Sequence, residues 1–230
     1  MQSKFSKKTI DQVFEWDVQT WSKVVPFWEE HCDIKPGLKV LTVGERGGGL
    51  SLFFALKGCH VTCTDFREFP SSIYELHRKY DVQNKIEYVE GVDVSKLDCF
   101  ADETFDLVVF KSVLGALSEQ NKQKNAFDEM HRVLKKHGFV LFAENLKASK
   151  LHQAFRQKYV KWNDYWRYFD LKNDDYFYAK FTKKQFKTQG FIAVFGRTEQ
   201  QRGLLAKIDR IILRAIPKSW RYVLFGVLSK

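Results

Sequence analysis

LKVLTVGERGGGLSLFFALKG, residues 38–58, runs from an apolar strand (Lys39 to Val43) through a glycine-rich turn (Gly44 to Gly49) into an apolar helix (Leu50 to Leu56) closed by Gly58. Glycines at such a turn let the backbone approach a ligand closely, and the following helix aims its free N–H groups at it. The next strand, His60 to Thr64, closes on Asp65, which lies 21 positions beyond Gly44. That separation is close to the roughly 20 residues at which an acidic side chain reaches ribose hydroxyls in a nucleotide-binding α/β sheet. The turn and the acid suit any such nucleotide, a nicotinamide cofactor included.

The alternation continues outward from this stretch. Ser71 to Tyr80 reads as a helix, Lys85 to Glu90 as a third strand and Thr104 to Phe110 as a fourth with Asp106 at its entry. Lys122 to Leu134 reads as a helix and Phe139 to Ala143 as a fifth strand after the turn Lys136-His137-Gly138. This rhythm predicts an α/β fold, a doubly wound and mostly parallel sheet with right-handed crossovers. Ahead of it, Ile10, Val13, Phe14, Trp21, Val24, Val25 and Trp28 fall at spacings of three and four, giving one or two amphipathic helices interrupted near Pro26.

After the fifth strand, Lys147 to Lys187 is basic and ring-rich. Phe155, Tyr159, Trp162, Tyr165, Trp166, Tyr168, Phe169, Tyr176, Phe177 and Tyr178 crowd together there as a helical cap over the strand ends. Thr182 to Thr188 predicts a helix, and Phe191 to Phe195 a last strand at which the sheet ends. Beyond it, Leu204, Leu205, Ile208, Ile211, Ile212, Ala215 and Ile216 share one helical face, opposite Lys207, Arg210 and Arg214. An apolar tail bearing Trp220 and Tyr222 follows. The expected organisation is an N-terminal helical cap (1–36), a cofactor-binding α/β domain (37–203) that includes the cap insert 147–180, and a basic amphipathic tail (204–230).

At 230 residues the chain suits one such domain with elaborations. Its 38 Lys and Arg against 28 Asp and Glu give a formal charge of +10, so its surface attracts phosphates, anionic lipids or nucleic acid. Aromatic residues make up 16%, a high share. Cys32, Cys59, Cys63 and Cys99 lack paired spacing, so neither a zinc site nor a disulfide framework is expected. Met1 to Lys8 is polar and no apolar run approaches the ~20 residues of a spanning helix. The expected location is cytoplasmic, with peripheral attachment to the inner face of the plasma membrane.

Residues 38–58 resemble the first motif of class I, Rossmann-like S-adenosylmethionine-dependent methyltransferases, and VTCTDF (61–66) resembles their second. The resemblance extends through Tyr88-Val89-Glu90-Gly91-Val92-Asp93, through Thr104 to Val109, and through the helix-to-turn run His131 to Gly138. Two positions depart from the family pattern. Thr42 stands where an acid usually precedes the first glycine, and Arg46 where the second glycine falls. Gly47, Gly48 and Gly49 offer flexibility in a shifted register, and Glu45 stands in for the missing acid.

The resemblance implies S-adenosyl-L-methionine as cofactor, held by Gly44, Glu45, Arg46, Gly47, Gly48, Asp65, Phe66, Asp93, Val94, Lys111 and Ser112. Asp65 is expected on the ribose and Asp93 near the adenine. If the acceptor is a hydroxyl, a base near the fifth strand's end helps, and Glu144 and His152 are the candidates, each with a structural role as the alternative. FEWDVQTWSKVVPFWE (14–29) and DRIILRAIPKSWRYVLFG (209–226) resemble small bacterial methyltransferases of cell-surface polysaccharide and lipopolysaccharide biosynthesis. That implies a sugar hydroxyl of a glycan or lipid-linked saccharide as acceptor, with residues 204–230 on an anionic membrane. Nucleic acid is the less favoured partner, since no RNA-binding module is appended. The alternatives are an RNA or small-molecule methyltransferase and a non-catalytic S-adenosylmethionine-binding or membrane-associated protein.

Overall fold

The computed structural model describes residues 5–230, so the start of the polar Met1–Lys8 stretch lies outside the described residues. Five strands come first in the chain: β1 (Lys39–Val43), β2 (His60–Asp65), β3 (Ile86–Glu90), β4 (Phe105–Lys111) and β5 (Leu134–Asn145). With β6 (Lys183–Gln189) and β7 (Val223–Ser229) they make one seven-stranded sheet of order β3-β2-β1-β4-β5-β7-β6. The first five are mutually parallel, and β7 is antiparallel to both of its neighbours. This is the expected doubly wound, mostly parallel α/β sheet.

Burial on both faces follows the two-residue period of a strand. Val40, Leu107, Val109, Leu141 and Phe225 face one core, shared with Val13 of α1 (Lys7–Phe14), Trp21 of α2 (Val18–Trp21), Trp28 of α3 (Val24–His31) and Phe53 of α4 (Gly49–Leu56). Leu41, Val108, Phe110, Phe142 and Leu224 face the other, with Phe127 and Met130 of α6 (Gln120–Val133) and with Phe169 and Phe177 of the cap. Between α4 and α6 in sequence, α5 (Ser71–Lys79) buries Ile73 and His77. Asp106 is the expected strand-entry residue: its carboxylate accepts the Lys39 N–H and the Lys135 ammonium, both at 2.8 Å. The N-terminal helices break twice, at Glu15 to Asp17, where Glu15 and Asp17 have positive φ, and at Ser22–Lys23 between α2 and α3, just ahead of Pro26. Pro26 sits in the first turn of α3, where a missing N–H loses no helical bond.

Three expectations need correction. Residues 182–188 are not a helix but most of edge strand β6, whose partner is β7 along its whole length. Lys183, Lys184 and Lys187 keep that edge from pairing with another chain. Phe191 to Phe195 is not a strand. The carboxylate of Asp209, buried on α8 (Glu199–Ile212), accepts the N–H groups of Phe191, Ile192 and Ala193 at 2.9, 2.9 and 3.2 Å and so holds the start of a short 3-10 turn, Ala193–Phe195. The sheet therefore does not end there, and residues 204–230 are not an appended tail. They divide between α8 and β7, with β7 lying between β5 and β6.

Candidate functional site

At the carboxyl ends of the parallel strands lies a cleft of about 1190 Å3. Its floor takes Val43 and Gly44 after β1, Asp65, Phe66 and Arg67 after β2, and Val92, Asp93 and Val94 after β3. Ser112 and Val113 after β4 and Asn145 at the end of β5 complete it. This is where an open α/β sheet binds ligands. Gly44 has a φ of +68°, and a Cβ there would come within 2.6 Å of Val113. Asp65 is buried at the strand end, with Oδ1 accepting the Arg67 N–H at 2.9 Å. Asp93 Oδ1 accepts the backbone N–H and the hydroxyl of Ser95, both at 2.8 Å, which fixes the loop that carries Val94. Ser112 holds a φ of +56°, and its hydroxyl accepts from the Asn145 side-chain amide at 2.6 Å. Strained backbone of this kind at a strand's ligand-facing end is typical of functional sites.

The opposite wall comes from the cap, where α7 (Lys150–Tyr159) leads into an irregular segment. Phe155, Tyr159, Trp162, Tyr165, Trp166 and Tyr168 line the cleft. The other rings of the cluster do not, since Phe169, Phe177 and Tyr178 are buried in the core against α6. The arginines are interleaved with the rings. The Arg156 guanidinium stacks 4.0 Å from the Tyr168 ring, Arg197 lies 4.9 Å over Tyr159, and Arg202 lies 5.8 Å over Trp16. Burial lowers the Arg156 pKa to about 10, which leaves it a cation at neutral pH. In all, Arg46, Arg67, Lys122, Arg156, Arg197 and Arg202 face the cleft against Asp65, Asp93 and Glu119.

Of the expected cofactor contacts, Gly44, Arg46, Asp65, Phe66, Asp93, Val94 and Ser112 meet on this cleft, whereas Glu45, Gly47, Gly48 and Lys111 do not line it. Glu45 turns into the protein. Gly48, at the N-cap of α4, offers no side chain, so Glu45 Oε2 takes that place and accepts the Ser51 N–H at 2.8 Å. Burial pushes the Glu45 carboxyl up to about 7. Lys111 reaches the other way, donating to the Phe14 carbonyl at 3.0 Å and pairing with Glu15 at 3.7 Å. Gly47 and Gly49 are pressed against Glu15 and Val13, and Gly48 against Ile73 and His77, so these glycines admit α1 and α5 onto the turn. His77 pins it from below: Nε2 donates to the Gly48 carbonyl at 2.9 Å while Nδ1 accepts from the Tyr88 hydroxyl at 2.7 Å.

Neither candidate base is free to act. Glu144 is fully buried. Its Oε2 accepts the Val113 and Leu114 N–H groups, each at 2.9 Å, and Oε1 accepts that of Asn145 at 2.8 Å. It fastens the turn after β4. His152 is also buried, between the Ser149 hydroxyl and the Phe191 carbonyl, each 2.7 Å from a ring nitrogen, and burial lowers its pKa to about 4. Both are structural residues. Trp16, Arg197 and Arg202 were not anticipated on the cleft. Trp16 lay within the stretch 14–29 quoted for its family resemblance, while Arg202 on α8 and Arg197 just before it are brought to the cleft where α8 packs against α2.

A family model described as a methyltransferase domain matches residues 41–142. No curated protein sequence matches the chain. Among solved structures, a phosphoethanolamine N-methyltransferase 2 from Haemonchus contortus, in complex with phosphomonomethylethanolamine and S-adenosylhomocysteine, superposes at a TM-score of 0.63 and 15% identity. The match covers 91% of this chain and 52% of that one, so the chain spans about half that enzyme's length. A SAM-dependent methyltransferase from Archaeoglobus fulgidus matches over 91% of this chain and 94% of its own (TM-score 0.62, 11% identity). The [4+2]-cyclase SpnF matches over 90% and 79% (TM-score 0.59, 14% identity). Identities this low speak for the fold alone, which one cyclase and two methyltransferases share. The glycine turn, the acid at the end of β2 and the matched family model agree: residues 41–142 are similar to a methyltransferase domain, carried on a Rossmann-like fold.

Proposed function

We propose that the protein transfers the methyl group of S-adenosylmethionine to a sugar hydroxyl of a cell-surface glycan or its lipid-linked precursor, at the cytoplasmic face of the membrane. One observation carries this reading: the cleft has a carboxylate-bearing wall on the strand ends and faces it with six rings interleaved with arginines. The residues present fit the cofactor. Asp65 would hold the ribose hydroxyls, Asp93 and Val94 the adenine, and Arg46, on the turn after Gly44, the carboxylate of the amino-acid end. When bound, S-adenosylmethionine supplies an electrophilic methyl on a sulfonium.

The chain's own contribution is alignment. Flat rings pack on the C–H faces of a sugar, and arginines suit a phosphate-bearing linker with their paired N–H groups. Holding an acceptor oxygen in line with the methyl supplies much of the rate of such a displacement without a covalent intermediate. With Glu144 and His152 both tied into the fold, this reading uses no dedicated base from β5 or α7, and the acceptor hydroxyl gives up its proton to water in the open cleft as the oxygen takes the methyl. The arginines also favour a second reading, a small phosphorylated acceptor, because they would serve a free phosphate ester as well as a linker.

Two measurements test the proposal. Calorimetric titration with S-adenosylmethionine should give saturable one-to-one binding, and its absence would leave only a non-catalytic relative. Incubation with tritiated S-adenosylmethionine and, in parallel, lipid-linked glycan extract, phosphoethanolamine and RNA should label the glycan fraction. Label in phosphoethanolamine or RNA alone would overturn the glycan assignment while keeping the enzyme.

A further inference from the structure

Helix α8 carries two apolar faces, and only one is covered. Ala206 and Leu213 are buried against the domain beside Asp209, whereas Leu204, Ile208 and Ile211 are 62%, 42% and 77% exposed. These three fall at i, i+4 and i+7, one continuous stripe along the helix. Past the helix end, Trp220 is 48% exposed on a short 3-10 turn. Arg221 folds that turn back by donating to the carbonyls of Leu213 and Ile216 at 2.6 and 3.0 Å, so the indole stays beside the helix terminus.

The charge around the stripe has one sign. Lys207, Arg210, Arg214 and Lys218 are exposed, and among the described residues none is paired with a carboxylate. The one acidic residue of this segment, Asp209, is turned inward and satisfied by three backbone N–H groups. A second copy of the chain seated here would set cations against cations, and three aliphatic side chains beside a single indole give successive nucleic-acid bases no stacking platform. An apolar stripe with a half-exposed indole and a purely cationic border is complementary to an anionic lipid surface.

We propose that the outer face of α8 docks the protein on anionic membranes, with Leu204, Ile208, Ile211 and Trp220 entering the interface and the four cations contacting lipid phosphates. Arg202, in the first turns of the same helix, lines the cleft, so docking sets the cleft beside the bilayer. Ile211 lies nine residues further on, about 14 Å along the axis. The inference stands apart from the methyl-transfer reading, since the binding it describes needs neither cofactor nor acceptor.

The test is flotation of the full chain with phosphatidylcholine vesicles, with or without about one-third phosphatidylglycerol. The protein should float with the anionic vesicles only, and Trp fluorescence should shift to the blue on binding. Ile208→Ser with Ile211→Ser, and separately Arg210→Glu with Arg214→Glu, should each weaken partitioning at least about tenfold. All four positions are exposed, so the melting temperature should hold. No flotation, equal flotation with neutral vesicles, or partitioning unchanged by both double variants would overturn the proposal. So would a dimer that the Ile208 and Ile211 substitutions dissolve.

Discussion

The two walls of the cleft are built by different means. On the sheet side both carboxylates and the turn after β4 are tied to backbone: Asp65 by the Arg67 N–H, Asp93 by the Ser95 N–H, and the turn through the buried Glu144. On the cap side the surface consists of side chains on α7 and the irregular segment after it, where arginines lie over rings. Tyr159, Trp162 and Tyr165 are 48%, 50% and 57% exposed there. A wall fixed by backbone can serve one ligand shape only, while a wall of large, half-exposed side chains adapts to its ligand. The first suits an invariant cofactor and the second a particular acceptor.

The sheet-side wall depends most on the close approach of α1 to the glycine turn. Gly49→Ala would drive a methyl group into the Val13 backbone, and we expect a loss of about 3 kcal/mol in denaturant unfolding together with weaker cofactor binding. Glu45→Gln sharpens the same point through pH. The carboxyl is raised to about 7 in the folded chain, mainly by burial, above its ordinary 4.5. A carboxyl raised on folding stabilises the protein fully below its unfolded value, and that stabilisation is lost as pH climbs through the folded one. The variant should therefore gain on the wild type between pH 4.5 and about 7, by on the order of 2 kcal/mol, when unfolding is compared at pH 5 and pH 8.

Smaller effects separate the walls from each other. Asp65→Ala should weaken S-adenosylmethionine binding at least about tenfold by calorimetry while the protein stays folded. Trp162→Ala should leave that affinity unchanged and raise the KM for the acceptor by up to about tenfold. Equal effects of both on cofactor binding would erase the division of labour. Glu144→Gln should leave the pH profile of turnover unmoved, because the side chain is enclosed by N–H donors and reaches no acceptor. A lost acidic limb would restore it as a base.

The parallel half of the molecule was legible because its signals are local. A strand, a glycine turn and an acid at fixed spacing define the first unit, and strands buried on both faces announce themselves as apolar runs. The antiparallel edge was not, because its cause lies far away in sequence. The polar run of β6 becomes a strand only through β7, and β7 itself read as a tail although Val223 to Leu228 is a strand-like run. Phe191 to Phe195 looked like a strand until Asp209 claimed its N–H groups.

The site divides in the same way. Asp65, Asp93 and Ser112 follow from strand ends, and the cap rings from their density. Glu45, Lys111 and His152 were misplaced because each is committed to a partner that sequence spacing does not reveal: α4, the end of α1, and the loop after β6.

In the proposed complex adenosine lies across the ends of β1 and β2 with its ribose on Asp65. A crystal structure with S-adenosylhomocysteine tests it most directly. We expect the ribose hydroxyls within hydrogen-bond distance of the Asp65 carboxylate and the adenine beside Asp93 and Val94. A nucleoside bound elsewhere, or held there with Asp65 turned away from it, would contradict it.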